Sequence, residues 1–159
     1  MLVPTGVASS ATAFGIVAGS VSLSGSMVTF AKLQGLMTSR PVVLPGAPVL
    51  MVAAVLAGVA GAVLVGVTAS VGAGIATALI AVVVGILLVL PVGGADVPIV
   101  ISLLNALTGL AVAASGWAMG NTLLLISGTL VGAAGSLLTH AMATAMGRSV
   151  GGILFGALK

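Results

Sequence analysis

The chain reads as five long apolar runs, separated by short breaks that hold most of its prolines and charges. The runs cover residues 6–31, 50–68, 72–90, 98–118 and 122–146, and a short amphipathic tail follows over 147–159. A helix needs about 20 mostly apolar residues to cross a bilayer core, so the pattern predicts five transmembrane helices. The breaks have local causes. Between the first two runs, Lys32-Leu33-Gln34 through Arg40-Pro41 and Pro45-Gly46-Ala47-Pro48 set cations and prolines where a helix cannot continue through lipid. Thr68-Ala69-Ser70-Val71-Gly72 reads as a tight turn, and Gly120-Asn121 as another. Ahead of the fourth run, Asp96 suits a helix N-cap and Pro98 a first helical turn.

Inside the runs, small and polar residues recur at helical spacing. Thr12, Gly15, Gly19, Ser22, Ser26 and Thr29 form one stripe on the first helix. Ser102, Asn105, Gly109, Val112 and Gly116 share a face of the fourth. Gly128, Gly132, Gly135 and Thr139, continued by Met142 and Met146, line the fifth. Lipid supplies no hydrophobic force between helices, so close association relies on small residues and interhelical hydrogen bonds. The stripes predict the packing surfaces, and around the fourth helix a hydrated path. The second and third helices have glycines but almost no polar side chains and read as lipid-facing or peripheral.

Composition narrows the class to an all-α integral membrane bundle. Of 159 residues, 60% are hydrophobic and 3% charged, with a mean hydropathy of +1.46; ordinary globular chains carry about 25% charged residues. The formal charges are Lys32, Arg40, Asp96, Arg148 and Lys159, and there is no Cys, Glu or Tyr. This excludes a disulfide framework, a cysteine-ligated metal site and a paired-carboxylate active site within the chain. Four scattered cations and few aromatics make no nucleic-acid surface. With five spans, Lys32, Arg40, Arg148 and Lys159 all fall on one side. The positive-inside rule makes that side cytoplasmic, with the N-terminus outside and the C-terminus inside. Met1-Leu2-Val3-Pro4 has no positive region ahead of the apolar stretch and does not read as a signal peptide.

Three polar residues stand out as candidates. Asn105 lies about 12 Å below the cytoplasmic end of the fourth helix, and its amide has two donors and an acceptor to satisfy. It reads either as an interhelical hydrogen bond or as a water-organising group on a proton path. His140, the one residue that titrates near neutrality, lies at a similar depth and has the same two readings. Asp96, the single acid, is an N-cap with Arg40 and Arg148 as candidate partners. Gly93 and Gly94 ahead of it allow a close backbone approach, suited to a docking or gating corner. Gly72-Ala73-Gly74-Ile75-Ala76-Thr77 is no dinucleotide loop, since no strand precedes it. No serine triad or metal cluster can be assembled, so the chain alone is no complete hydrolase or redox enzyme.

The run Pro91-Val92-Gly93-Gly94-Ala95-Asp96-Val97-Pro98-Ile99-Val100-Ile101-Ser102-Leu103-Leu104-Asn105, with Thr108-Gly109-Leu110-Ala111, resembles the membrane domain of the proton-translocating NAD(P) transhydrogenase beta subunit. So do Gly120-Asn121-Thr122-Leu123-Leu124, Ala145-Met146-Gly147-Arg148-Ser149, and the stretch from Gly25-Ser26 to Phe30-Ala31-Lys32-Leu33-Gln34-Gly35 with Ser39-Arg40-Pro41. The resemblance covers most of the chain and implies a multi-pass protein of the inner (plasma) membrane that couples proton passage to hydride transfer. NAD(H) and NADP(H) would be bound by partner domains and neither by this chain, in an oligomer completed by other transhydrogenase helices. It implies a domain-interface role for Asp96, Gly93, Gly94 and Arg148, and a proton-pathway role for Asn105, with Ser102 and His140 beside it. The departures are that Gly147 stands in place of the usual asparagine and His140 in place of a tyrosine. The family's earlier helices, one with a membrane histidine, and its NADP(H) domain are not within the sequence. The resemblance therefore implies a fragment, one part of a split subunit, or a degenerate copy, and the retained Asn105 argues against the last. The competing expectation is a structural membrane module or small transporter subunit without redox coupling.

Overall fold

The computed structural model describes residues 5–155, so Lys159 and the first four residues lie outside the described part. Helix α1 (Thr5–Leu33) is followed by α2 (Ala47–Thr68), α3 (Val71–Val89), a 3-10 turn (Gly94–Asp96), α4 (Val97–Ala118), α5 (Thr122–Ala145) and a short α6 (Val150–Phe155). Helices α1 to α5 are all long and apolar enough to cross a membrane, and no strand occurs among the described residues.

Two boundaries differ from the expected ones for physical reasons. Pro48 lies inside the first turn of α2, where a residue without an N–H forfeits no helical hydrogen bond, so the helix starts earlier than expected. At the other end of the same loop, α1 continues through Lys32 to Leu33. A cation there reads as a helix break in the sequence, but its side chain has found polar partners on another helix.

Helix α4 is central, packed between α1 and α5, while α3 lies against α1 and α2 covers the outside of both. The α4–α5 contact is backbone on backbone. Helix α5 buries Gly128, Gly132, Gly135, Thr139 and Ala143 in it. A Cβ added at Gly109 would lie 2.5 Å from the Gly132 nitrogen, and one at Gly128 would collide with the Ala113 nitrogen. Between α1 and α3 the close approach is at Gly85, where an added Cβ would lie 2.5 Å from the Val21 carbonyl oxygen. Between α1 and α4, Gly15 faces Ser115, Gly19 faces Ala111, and Ser22 reaches Leu104. The stripe on α1 is thus only partly its packing face. Thr12 and Ser26 are exposed, while Val21, Ser24 and Gly25 are buried, because α1 is gripped by α3 as well as α4.

The turns set which ends come together. Gly147 has φ 64°, and the Arg148 amide donates to the Ala143 carbonyl at 2.9 Å, a left-handed helix stop that glycine and asparagine both tolerate. That accounts for a glycine where the resemblance expects asparagine. At the opposite end, Gly120 has φ 65° and the Asn121 side chain caps α5 by accepting from the Leu124 amide at 3.2 Å. One end of the bundle therefore gathers the last turns of α1, α3 and α5 and the first turn of α4. Beneath it Val89, Val92, Ile99, Val100, Leu104, Ala143 and Ile153 form one apolar cluster, and Ile153 anchors α6 to it.

Candidate functional site

The charged end is built around two ion-like contacts. Arg148 is delivered by the α5 stop and grips Asp96 bidentately: Nε donates to Oδ1 at 3.0 Å and an Nη to Oδ2 at 2.7 Å. Asp96 is the N-cap residue of α4 by position, but its carboxylate caps nothing and is spent on the arginine. The side chains are 55% exposed for Arg148 and 9% for Asp96, so the acid is held and the guanidinium is offered outward. Of the two candidate partners, Arg148 is the one taken; Arg40 is exposed on the α1–α2 loop.

Gly93 and Gly94 meet a neighbour from the same chain. The Gly94 amide donates to the Ser39 carbonyl at 2.9 Å, and an added Cβ on Gly93 would lie 3.5 Å from Pro41. The close approach expected at these glycines is thus filled by the α1–α2 loop. The third element of this end was missed by sequence reasoning. Lys32 is 2% exposed, and its Nζ donates to the carbonyls of Val89 (3.1 Å), Leu90 (2.6 Å) and Val92 (2.8 Å). The signal available in the sequence was only its place in the last turn of a span, which equally marks a surface cation.

The second level lies deeper in the helices. Ser22 of α1 donates to the Leu104 carbonyl at 2.8 Å and pairs with Thr108 of α4, whose hydroxyl also donates to Leu104 at 3.0 Å. Asn105, beside them on α4, points outward from the bundle and has no hydrogen-bond partner among the described residues. Ser102, one turn away, is buried in the α4–α5 seam. There it donates to the Gly135 carbonyl at 3.3 Å and lies 3.0 Å from the Thr139 hydroxyl. His140, next to seam residue Thr139, faces away from α4, exposed and without a partner among the described residues. The structure thus joins Asp96 to Arg148 and Ser102 to the seam, and leaves Asn105 and His140 unpaired. No group of three or more metal-ligating side chains occurs among the described residues.

These features define a polytopic helical membrane protein, with close-packed glycine seams, a hydrogen-bonded charged end and an exposed amide on its outer face. Comparison with known proteins specifies the lineage. The profile of the NAD(P) transhydrogenase beta subunit matches residues 3–159. Two sequences of NAD(P) transhydrogenase subunit beta from Rhodospirillum rubrum, one from a defined strain, are each 39% identical over 142 residues, covering 89% of this chain. The chain belongs to the NAD(P) transhydrogenase beta subunit family, and spans 31% of the length of those relatives.

Proposed function

We propose that the chain forms part of the proton-conducting membrane domain of an NAD(P) transhydrogenase, coupling proton translocation to hydride transfer in partner domains. The observation that carries this reading is the unpartnered amide of Asn105, about 12 Å from the start of α4 on an outward face. A polar amide left in hydrocarbon costs a few kcal/mol, so this face is covered by water or by a polar helix. Water along this face suits a lined path, as do Thr108 and Ser22 beside it. Ser102 sets the α4–α5 seam that orients Asn105, and His140 lies on the far side of that seam.

The charged end supplies the other half. Proton occupancy near Asn105 would shift α4, whose N-cap residue is Asp96, and so change how the Asp96–Arg148 pair meets a docked nucleotide-binding domain. NAD(H) and NADP(H), bound in those domains, supply the hydride chemistry; this chain's residues hold and move the proton and bias the docking. On this reading the chain sits in an inner-membrane assembly completed by other transhydrogenase helices as an oligomer, with the charged end cytoplasmic; the cations on one side of the five spans support that orientation. In the assembled complex, Asn105→Leu is expected to lower proton-linked transhydrogenation about tenfold or more, measured as proton uptake per hydride transferred. Unchanged coupling would remove Asn105 from the mechanism and leave a structural membrane module.

A further inference from the structure

Lys32 occupies a position that neither the seams nor the Asp96–Arg148 pair explains. Among the described residues the single acid is already paired with Arg148, so Lys32 has no carboxylate beside it. It has three carbonyl oxygens instead, matching the three N–H donors of an ammonium. Two belong to the last turn of α3 and its cap, where unpaired carbonyls carry partial negative charge. The third, from Val92, belongs to the segment that leads through Gly93 and Gly94 to Asp96. The same segment takes two more bonds from the chain that follows α1, the Val42 amide to the Leu90 carbonyl at 3.1 Å and the Gly94 amide to Ser39. The hydrogen bonds that hold residues 89–94 from beyond the α3–α4 connection thus come from α1 or its loop, while α4, α5 and α6 reach Val89 and Val92 through apolar packing.

Helix α1 also carries Ser22, about 15 Å away along the helix, bonded to Leu104 and Thr108 at the level of Asn105. We infer that Lys32 is a positioning residue for the Asp96–Arg148 pair, and that α1 is the rod joining the Asn105 level to that pair. Movement of α4 against Ser22 tilts α1. Through Lys32 the tilt reaches the backbone that sets where Asp96 stands. The functional part of this inference rests on the coupling proposed above; the structural part does not.

The test uses the whole transhydrogenase, with spin labels on Ala95→Cys and Ala145→Cys; the chain has no cysteine of its own. A narrow distance distribution between the labels is expected with Lys32 present, and a broad one in Lys32→Met, with proton-linked activity falling about tenfold. Retention of the narrow distribution in Lys32→Met would overturn the inference. Should that variant fail to assemble, amine-reactive labelling of the unsubstituted complex decides. Protection of Lys32 supports the carbonyl cage, and modification as fast as an exposed lysine refutes it. A broadened distribution in Lys32→Met alongside unchanged coupling in Asn105→Leu would keep the positioning role and discard the coupling function.

Discussion

Asp96 and Arg148 differ in exposure, and that difference fixes what each can do. A pair with one partner half in solvent contributes little to stability, on the order of 1 kcal/mol or less, so its value lies in orientation. Ser102 is the opposite case. Its hydroxyl is spent between α4 and α5, so Ser102→Ala is expected to cost about 0.6 kcal/mol of helix association, the usual size of such a bond in a membrane. Thermal unfolding in detergent or reconstituted bilayers checks it; a loss several times larger would mean that the hydroxyl does more than join two helices. At this scale the sequence was informative where a residue type is scarce. One acid and two nearby cations were enough to suggest an ion pair at Asp96, and left Arg40 and Arg148 both open as its partner. It was uninformative for Lys32, because the partners are backbone carbonyls at the end of α3 and just beyond it, almost 60 positions away, and no residue type announces a carbonyl.

Helix existence follows from length and hydropathy, and the five spans could be read within a few residues of their ends. Helix faces were harder. From Gly128 to Thr139 the stripe on α5 coincides with the buried seam because α5 packs mainly against one long helix, α4; beyond it Ala143 is buried, while Met142 is half-buried and Met146 exposed. On α1 the same kind of stripe mixes buried and exposed positions, since two helices grip it from different directions. Asn105 shares a spacing family with Ser102 and Gly109, yet sits at the edge of a tight seam whose buried positions are small residues such as Gly109, Gly128, Gly132, Gly135, Ser102 and Thr139. The sharpest test of the seam is Gly128→Leu. A side chain there meets the Ala113 backbone, and overpacking of this kind costs about 1–3 kcal/mol or more. Cross-linking between cysteines placed on facing positions of α4 and α5 should be lost in this variant; undiminished cross-linking would contradict the backbone-to-backbone contact.

At the scale of the whole molecule, the charged side chains among the described residues gather at one end of the bundle. Lys32, Arg40 and Arg148 all lie toward the charged end. That asymmetry was visible in the sequence because the number of spans decides which loops share a side. What covers the outer face of α4 was not visible. Nothing in a single run of residues says whether an asparagine points at a neighbour, at water or at a helix outside the chain. The account depends on Asn105 being wetted from the charged end, and cysteine accessibility measures that directly. In the assembled complex, Asn105→Cys should react with a small membrane-impermeant thiol reagent added on the side where Ala95→Cys reacts, within about a hundredfold of its rate, a difference of about 2.7 kcal/mol in barrier. If Asn105→Cys is instead as inert as Leu130→Cys on the exposed apolar face of α5, there is no aqueous path at that residue and the proton-coupling reading is wrong.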